Sequence, residues 1–159
     1  MNTTIYKNKI TLLSKKGMKE LKKSIAQLEN DRHKAMKVLR ELDKKLGHDE
    51  RLTRIEKISD LQNIEADLED KKLLLSTAQL IPAKRNHLQV AIGSVVDLID
   101  KHGHFFRFKI VESVEANPSD GRISTLSPLG KSLLGRNVSD VVKLGRGFRV
   151  NHFQLVRIT

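Results

Sequence analysis

The chain of 159 residues has no cysteine and no tryptophan, and it holds only one tyrosine and three prolines. Without cysteine it can form no disulfide and has no thiol nucleophile, which fits a cytosolic protein. The scarcity of aromatic rings argues against base stacking as a major mode of nucleic-acid binding. No apolar run approaches the ~20 residues that a membrane span needs, and the N-terminus lacks the apolar core of a signal peptide. These absences predict a cytoplasmic protein with no membrane partner.

Basic side chains are abundant. The chain has 30 lysines and arginines against 19 acidic residues, a net charge of +11 and a pI near 10.0. Such a balance favours an acidic partner, whether nucleic acid (RNA or DNA), an anionic membrane or an acidic protein surface. Five basic residues lie close together in the second half: Lys131, Arg136, Lys143, Arg146 and Arg149. This cluster is either a face for phosphates or for an acidic protein, or simply a solvated surface.

The first half of the chain has almost no helix breakers. Between Ser14 and Ala78 there is no proline, and the only glycines are Gly17 and Gly47. Apolar positions recur at alternating spacings of three and four, which is the seam of a coiled coil: Met18, Leu21, Ile25, Leu28, Ala35, Leu39, Leu42 and Leu46. Ser14 can cap the first turn of this helix.

A second, less regular helical stretch follows Gly47. Its apolar positions are Leu52, Ile55, Ile58, Leu61, Ile64, Leu68, Leu75 and Ala78, with a phase slip near Ile58 and a lysine, Lys71, at one expected apolar position. Two helices of similar length around a short charged turn predict an antiparallel coiled-coil hairpin over residues 1–80, with its tip near residues 47–51. Such a hairpin has too little core for a conventional enzyme pocket.

After Pro82 the pattern changes to short strands. Five β-branched or alternating segments, at 90–99, 105–113, 121–126, 140–144 and 148–158, are separated by turn signals. One stretch differs, "SPLGKSLLG" (127–135), in which Ser127 is a natural helix cap and Pro128 fits the first helical position. Residues 81–159 are therefore predicted to form an antiparallel sheet or half-barrel with a short helix across it, and the fold class is α+β.

No conventional active site is visible. The chain has no Walker loop, Rossmann fingerprint, nucleophile elbow or zinc-ligand spacing. His102 and His104 flank a hairpin glycine, a pattern more typical of a turn than of a metal site. The chain therefore carries no self-sufficient catalytic apparatus.

The charged turn "KKLGHDERL" (44–52) contains two adjacent carboxylates, Asp49 and Glu50. Magnesium prefers oxygen ligands and keeps several waters, so two acids alone would bind it weakly and no cofactor is expected to stay bound. The pair is chemically useful only if the hairpin delivers it to a metal that another macromolecule already holds. Otherwise Asp49 and Glu50 are simply part of a polar turn.

The whole chain resembles the bacterial GreA/GreB family of transcription elongation factors. The most specific match is "STLSPLGKSLLGRNVSDVV" (124–142), which is similar to the family's C-terminal signature. "LLSKKGMKELKKSIAQL" (12–28) resembles its N-terminal helix start, and "LLSTAQLI" (74–81) resembles the close of its second helix. The three matches occur in the family's order over nearly the full length.

The resemblance implies a mechanism and a partner. In this family an FKBP-like C-terminal domain docks on the rim of RNA polymerase while the coiled coil enters the secondary channel. Acidic tip residues then help to hold the polymerase's second catalytic Mg²⁺, and the polymerase cleaves the backtracked RNA. By this resemblance Asp49 and Glu50 are the metal-binding, catalysis-assisting residues, and Ser127, Pro128, Leu129 and Gly130 form the docking segment.

The tip departs from the family's pattern. Cleavage-competent members carry a tip like Gly-Asp-Leu-x-Glu-Asn-Ala-Glu-Tyr, whereas this chain has adjacent acids and two added arginines, Arg51 and Arg54. Metal geometry tolerates errors of only tenths of an ångström. The chain is thus expected either to stimulate RNA cleavage or to occupy the channel as a non-cleaving regulator. A direct nucleic-acid binder and a prolyl isomerase or chaperone are the remaining alternatives, and fold alone does not carry isomerase activity.

Overall fold

The structure is a computed structural model that describes residues 10–44, 48–83, 87–146 and 149–159, with only the backbone at residues 48–50, 146 and 149. It divides into two compact units, one formed by residues 16–78 and the other by residues 11–15 together with 79–159. None of the helices in these ranges is long and apolar enough to cross a membrane.

The first unit consists of two long helices, α1 (Lys15–Leu42) and α2 (His48–Thr77). Two ion pairs connect the helical segments: Glu29 Oε1 lies 2.6 Å from Lys72 Nζ, and Asp43 Oδ1 lies 2.5 Å from Arg54 Nε. Since a later residue of the first segment pairs with an earlier residue of the second, the two helices are antiparallel. Leu46, which was predicted to lie on the apolar seam, and Gly47, which was predicted to lie in the turn, are outside the described residues.

The predicted apolar face of α1 is the covered one. Every predicted position from Met18 to Leu42 is buried or half-buried, and the most deeply covered are Leu21 and Ile25, each 8% exposed. Arg32, which interrupts the series, is also half-buried. The heptad spacing therefore identified the packed face of this helix.

The predicted apolar face of α2 is wrong in its first two turns. Leu52 and Ile55 are 68% and 65% exposed, whereas Leu68 is 3% exposed. The cause is the run of three-residue spacings between Leu52 and Ile64, because each such step falls about 60° short of a full helical turn. The apolar row therefore rotates away from the covered face towards the start of α2.

The second unit is built on a five-stranded sheet. Its strands are β3 (Val95–Asp100), β4 (Phe105–Val111), β5 (Arg122–Ser124), β6 (Val141–Arg146) and β7 (Arg149–Ile158), in the order β5-β4-β3-β7-β6. All five predicted strands are present. The prediction of a fully antiparallel sheet is wrong at one edge, where β5 runs parallel to β4. Two 3₁₀ turns, Ser113–Glu115 and Pro118–Asp120, carry the chain back before β5 begins.

One face of this sheet carries the hydrophobic core. The buried residues are Val90, Val96, Leu98, Ile110, Leu133, Val142, Leu155 and Ile158, with Phe108, Ile123, Leu129 and Phe153 packed against them. Leu133 belongs to the short helix α3 (Pro128–Leu133), which packs on this face as the sequence predicts. A separate two-stranded sheet, β1 (Thr11–Leu13) with β2 (Ala78–Leu80), was not predicted.

Candidate functional site

The tip residues Asp49 and Glu50 lie in helical backbone, not in a loop. Helix α2 begins at His48, so both residues belong to its first turn. Negatively charged side chains in the first turn of a helix interact favourably with the helix dipole. Their side chains lie outside the described part of the structure. The backbone therefore places two carboxylate-bearing residues at the start of α2.

The two tip arginines differ in their surroundings. Arg54 Nε donates a hydrogen bond to Asp43 Oδ1, just beyond the end of α1. Arg51 is exposed and makes no ion pair within the described residues. One of the two added positive charges is thus partly neutralised by the chain itself, and the other faces solvent.

Ser127 builds the start of α3. Its Oγ accepts a hydrogen bond from the Gly130 N–H at 3.0 Å and donates one to the Ser124 carbonyl oxygen at 2.7 Å. The Ser127 N–H donates to the same carbonyl oxygen at 3.1 Å. Ser127 thus caps the helix, as its sequence position predicts, and also fixes α3 to the end of β5.

Gly130 is required by the close packing of α3 against Ser124. A Cβ added at Gly130 would lie 2.0 Å from the Ser124 carbonyl oxygen and 3.1 Å from Ser127 Oγ. No side chain fits in that space without moving backbone. The Ser-Pro-x-Gly pattern is therefore explained by local packing, whatever else the segment does.

The predicted docking residues divide into two groups. Ser127 and Gly130 maintain the shape of the segment, and Leu129 is half-buried against the core. Pro128 is exposed, as are several apolar residues on either side of α3: Leu126 (57%), Leu134 (36%) and Val138 (45%).

The turn between β3 and β4 is organised by Asp100. Its Oδ1 accepts hydrogen bonds from the backbone N–H groups of His102 (2.8 Å) and His104 (2.9 Å), and its Oδ2 lies 2.9 Å from His104 Nδ1. Partial burial opposes ionisation, but the hydrogen bonds from the two histidines lower the pKa of Asp100 to about 2. Gly103 adopts a φ of 84°, which favours glycine. His102 and His104 thus form a turn, as predicted.

Within the described residues, no three His, Cys, Asp or Glu side chains come together as metal ligands would. The only sequence-predicted metal-binding residues, Asp49 and Glu50, have side chains outside that description.

The sequence-predicted basic cluster is not one surface. Lys131 lies on α3, on the core side of the sheet, whereas Lys143 follows the buried Val142 in β6. Because successive strand residues point to opposite faces, Lys143 points away from α3. The side chains of Arg146 and Arg149 lie outside the described residues. Proximity in sequence was a poor guide to this surface.

One polar contact had no signal in the sequence. Glu115 is 8% exposed, and its carboxylate accepts hydrogen bonds from the N–H of Ser14 at 2.8 Å and from its hydroxyl at 2.5 Å. The contact joins residues 101 positions apart, directly before the first turn of α1. Only the folded chain brings these groups together.

Comparisons with known proteins agree on one family. Residues 85–158 match the family described as "Transcription elongation factor, GreA/GreB, C-term". The chain is 36% identical over 100 residues to the transcription elongation factor GreA of Helicobacter hepaticus, covering 60% of each protein. It is 34% identical over 96 residues to the GreA of Mesomycoplasma hyopneumoniae, covering 60% of this chain and 58% of the relative. The chain thus spans about three fifths of the length of these curated relatives.

Two groups of solved structures are similar as well. A structure of the transcription factor Gfh1 is 28% identical, with 94% of this chain and 97% of that chain covered and a TM-score of 0.45. A GreA/GreB factor of Nitrosomonas europaea is 18% identical, with 94% and 98% covered and a TM-score of 0.43. Residues 85–158 thus match the C-terminal domain of the GreA/GreB transcription elongation factors, and the chain is similar to GreA proteins over about three fifths of its length.

Proposed function

We propose that this chain binds bacterial RNA polymerase during elongation, docking through its second unit on the channel rim and inserting α1 and α2 into the secondary channel. The observation that carries the proposal is the GreA/GreB match over residues 85–158, which contains α3 and its capped, glycine-packed start. The similarity to GreA elongation factors supports RNA polymerase as the partner, and entry into the secondary channel is part of the proposal.

Docking is assigned to the segment at the start of α3. Ser127 and Gly130 hold the segment against Ser124, so Pro128 stays exposed in a fixed position. A rigid, exposed apolar group beside other exposed apolar groups is a favourable anchor for a protein partner. In this assignment Pro128 makes the contact, while Ser127, Leu129 and Gly130 preserve its geometry.

The two helices are long enough to extend into a channel. Helix α1 has 28 residues, which at ~1.5 Å per residue corresponds to about 42 Å. Two antiparallel helices joined by side-chain ion pairs at Glu29–Lys72 and Asp43–Arg54 form a narrow element that ends near Asp49 and Glu50. Such an element suits entry into a channel better than the formation of a pocket.

At the tip, Asp49 and Glu50 would add carboxylate oxygens to a Mg²⁺ that the polymerase active site holds. Carboxylate oxygen is the ligand type that magnesium prefers, so the donor chemistry of these residues fits the ion. The polymerase performs the RNA cleavage, and the chain assists it without being an enzyme itself.

The second candidate is a regulator that occupies the channel without promoting cleavage. Asp49 and Glu50 are consecutive positions of α2, and consecutive helix positions lie about 100° apart around the axis. They therefore do not share a helix face. The exposed Arg51 next to them adds positive charge beside the same ion. Both features favour a protein that occupies the channel over one whose tip acids help to hold the polymerase's Mg²⁺.

A backtracked elongation complex with 3′-labelled RNA separates the two candidates. Release of short 3′ fragments by the wild type but not by the D49A/E50A double variant would establish a cleavage-assisting tip. The E69A/D70A double variant is the matched control, since Glu69 and Asp70 are also consecutive, exposed acids of α2. Absence of cleavage, together with inhibition of cleavage by a conventional Gre factor, would establish the non-cleaving regulator.

Binding itself is tested with purified core polymerase. We expect P128A to weaken the association by about tenfold, because it removes an exposed anchor, and to leave the thermal unfolding of the free protein nearly unchanged. S119A, at another exposed position of the second unit, is the control. Full binding by P128A would remove Pro128 from the interface, and absence of polymerase binding by the wild type would refute the proposed function.

A further inference from the structure

The sheet of the second unit has an outer face that is strongly basic. Val96, Leu98, Ile110 and Leu155 point to the core, so the strand residues that alternate with them point to the other side. That side carries five basic residues, here called the basic sheet face: Arg107, Lys109, Arg122, Lys143 and Arg157. They come from four of the five strands.

Strand register brings these residues next to one another. Lys109 of β4 is paired with Arg122 of β5. Asp97 of β3 is paired with Arg107 on one side and with Arg157 of β7 on the other. Paired positions of neighbouring strands are about 5 Å apart. The register therefore brings four of the cations close together across β5, β4, β3 and β7, although 50 positions of sequence separate Arg107 from Arg157. Lys143 of β6 is paired with His152, five positions along β7 from Arg157, so it lies on the same face at a distance from the other four.

Acidic groups neutralise only part of the basic sheet face. Arg107 donates two hydrogen bonds to Asp97, from Nε at 2.6 Å and from Nη2 at 2.9 Å, and this interaction lowers the pKa of Asp97. Arg122 Nη2 lies 3.0 Å from Asp120 Oδ2. Among the residues that the structure describes, Lys109, Lys143 and Arg157 make no ion pair. The face therefore keeps an excess of positive charge.

An aromatic ring lies beside the cations. Phe105 is 69% exposed, and it is paired with Ile99 on the same face, two positions along β4 from Arg107. An exposed phenylalanine has no stabilising role in the core. Next to a row of cations it offers a surface on which one base can stack.

The dimensions of the face favour a single strand over a duplex. Strands lie ~4.8 Å apart, so five strands span about 19 Å. This is wider than the ~12 Å major groove of B-form DNA, which admits a helix or a two-stranded ribbon. Val111, on the same face, is 1% exposed, so this face is covered at that end of β4 and accessible at the end that carries Phe105 and Arg107. Basic residues on a sheet face beside an exposed aromatic ring match the way that sheets hold unpaired nucleotides, with phosphates on the cations and a base on the ring.

We propose that the basic sheet face binds single-stranded nucleic acid, with Lys109, Lys143 and Arg157 contacting phosphates and Phe105 stacking on a base. This surface lies on the side of the sheet opposite α3 and includes neither Asp49 nor Glu50, so the proposal does not depend on polymerase docking. It gives the second unit a contact with an RNA strand in addition to its contact with protein.

The test measures the full-length protein binding a fluorescent single-stranded RNA of about 12 nucleotides by anisotropy, in the absence of polymerase and over a series of salt concentrations. The triple variant K109Q/K143Q/R157Q removes three phosphate contacts. We expect its affinity to fall by about tenfold and the slope of log affinity against log salt to decrease by about 2. F105L is expected to weaken binding about fivefold without changing that slope.

The control variant K101Q/K131Q/R136Q removes the same charge from positions outside the basic sheet face. All three control residues are exposed, in the β3–β4 turn, on α3 and directly after it. We expect this variant to lose much less affinity than the face variant and to keep the wild-type salt slope. Circular dichroism of each variant confirms that it is folded.

Three results would overturn the proposal. Equal losses in the face and control variants would show that net charge alone attracts RNA. Tighter binding of the wild type to a duplex of the same length would assign the face to double-stranded DNA or RNA. Unchanged RNA affinity of the face variant with weakened binding to core polymerase would make the face a protein contact. Because the RNA assay contains no polymerase, failure of the proposed function leaves its result intact.

Discussion

Gly130 shows how one hydrogen atom in place of a methyl group determines local structure. A Cβ at this position would lie 2.0 Å from the Ser124 carbonyl oxygen, and relieving such overlap requires a backbone shift. Overpacking of this kind costs up to about 3 kcal/mol. We therefore expect G130A to lower the free energy of unfolding by about that amount, measured by urea denaturation followed by far-ultraviolet circular dichroism.

G103A is the matched control for this prediction. Gly103 has a φ of 84°, and a Cβ added there would have no neighbouring atom within 4 Å. Alanine at this position therefore meets only the backbone strain of about 1 kcal/mol. Similar losses in G130A and G103A would mean that α3 does not pack tightly against Ser124.

Asp100 is the residue whose ionisation the fold changes most clearly. Hydrogen bonds from the side chain and N–H of His104 and from the N–H of His102 overcome partial burial and lower the pKa of Asp100 from 3.8 to about 2. Because the folded-state pKa is depressed, ionised Asp100 stabilises the fold above pH 3.8, and this contribution is lost as the pH falls towards 2.

Titration of the Asp100 carboxyl carbon by nuclear magnetic resonance tests this value. H104A removes the side-chain hydrogen bond and should raise the pKa of Asp100 towards 3.8, whereas H102A removes only a side chain that does not bond to it. An Asp100 pKa near 3.8 in the wild type, or an equal rise in both variants, would refute the turn geometry.

At the scale of elements, α2 separates into an exposed and a packed portion. Leu52 is 68% exposed and Leu68 is 3% exposed, although both occupy predicted apolar positions. L68A should destabilise the protein by about 3 kcal/mol, as truncation of a buried leucine does. L52A should change the free energy of unfolding by less than about 0.5 kcal/mol. Thermal unfolding of both variants measures the difference, and a large loss in L52A would show that the start of α2 is packed.

Most elements were predictable because their signals are local. The alternating three- and four-residue spacing identified the covered face of α1, and turn residues separated all five strands of the second unit. The pairing of β5 with β4 was missed because three residues carry no directional pattern. The β1–β2 pair was missed because strands of three residues are stabilised by contacts distant in sequence, such as the Ile81 N–H donating to the Leu13 carbonyl oxygen at 2.9 Å.

At the scale of the whole molecule, the sequence predicted the net charge but not which basic residues share a surface. The net charge of +11 indicated an acidic partner, yet grouping residues by sequence proximity joined Lys131 and Lys143, which the sheet separates. The group of cations containing Arg107 and Arg157 depends on the register of β3 with β4 and β7. Register is decided by which strand faces are buried, and that is a property of the complete core.

The proposed function assigns docking to one unit and chemistry to the end of the other, which predicts competition. D49A/E50A keeps Pro128 and the α3 segment, so it should bind polymerase as tightly as the wild type. Added in about tenfold excess, it should displace about nine tenths of the wild-type protein and suppress whatever effect the wild type has on a backtracked complex, in proportion to occupancy.

Two further variants make this prediction specific. E69A/D70A, with its tip intact, should act like added wild type and not as a competitor. Combining D49A/E50A with P128A should reduce the displaced fraction from about nine tenths to about half, because the tenfold weaker affinity offsets the tenfold excess. If D49A/E50A failed to compete while still folded, the tip acids would contribute to binding itself. The division of docking and tip function between the two units would then be wrong.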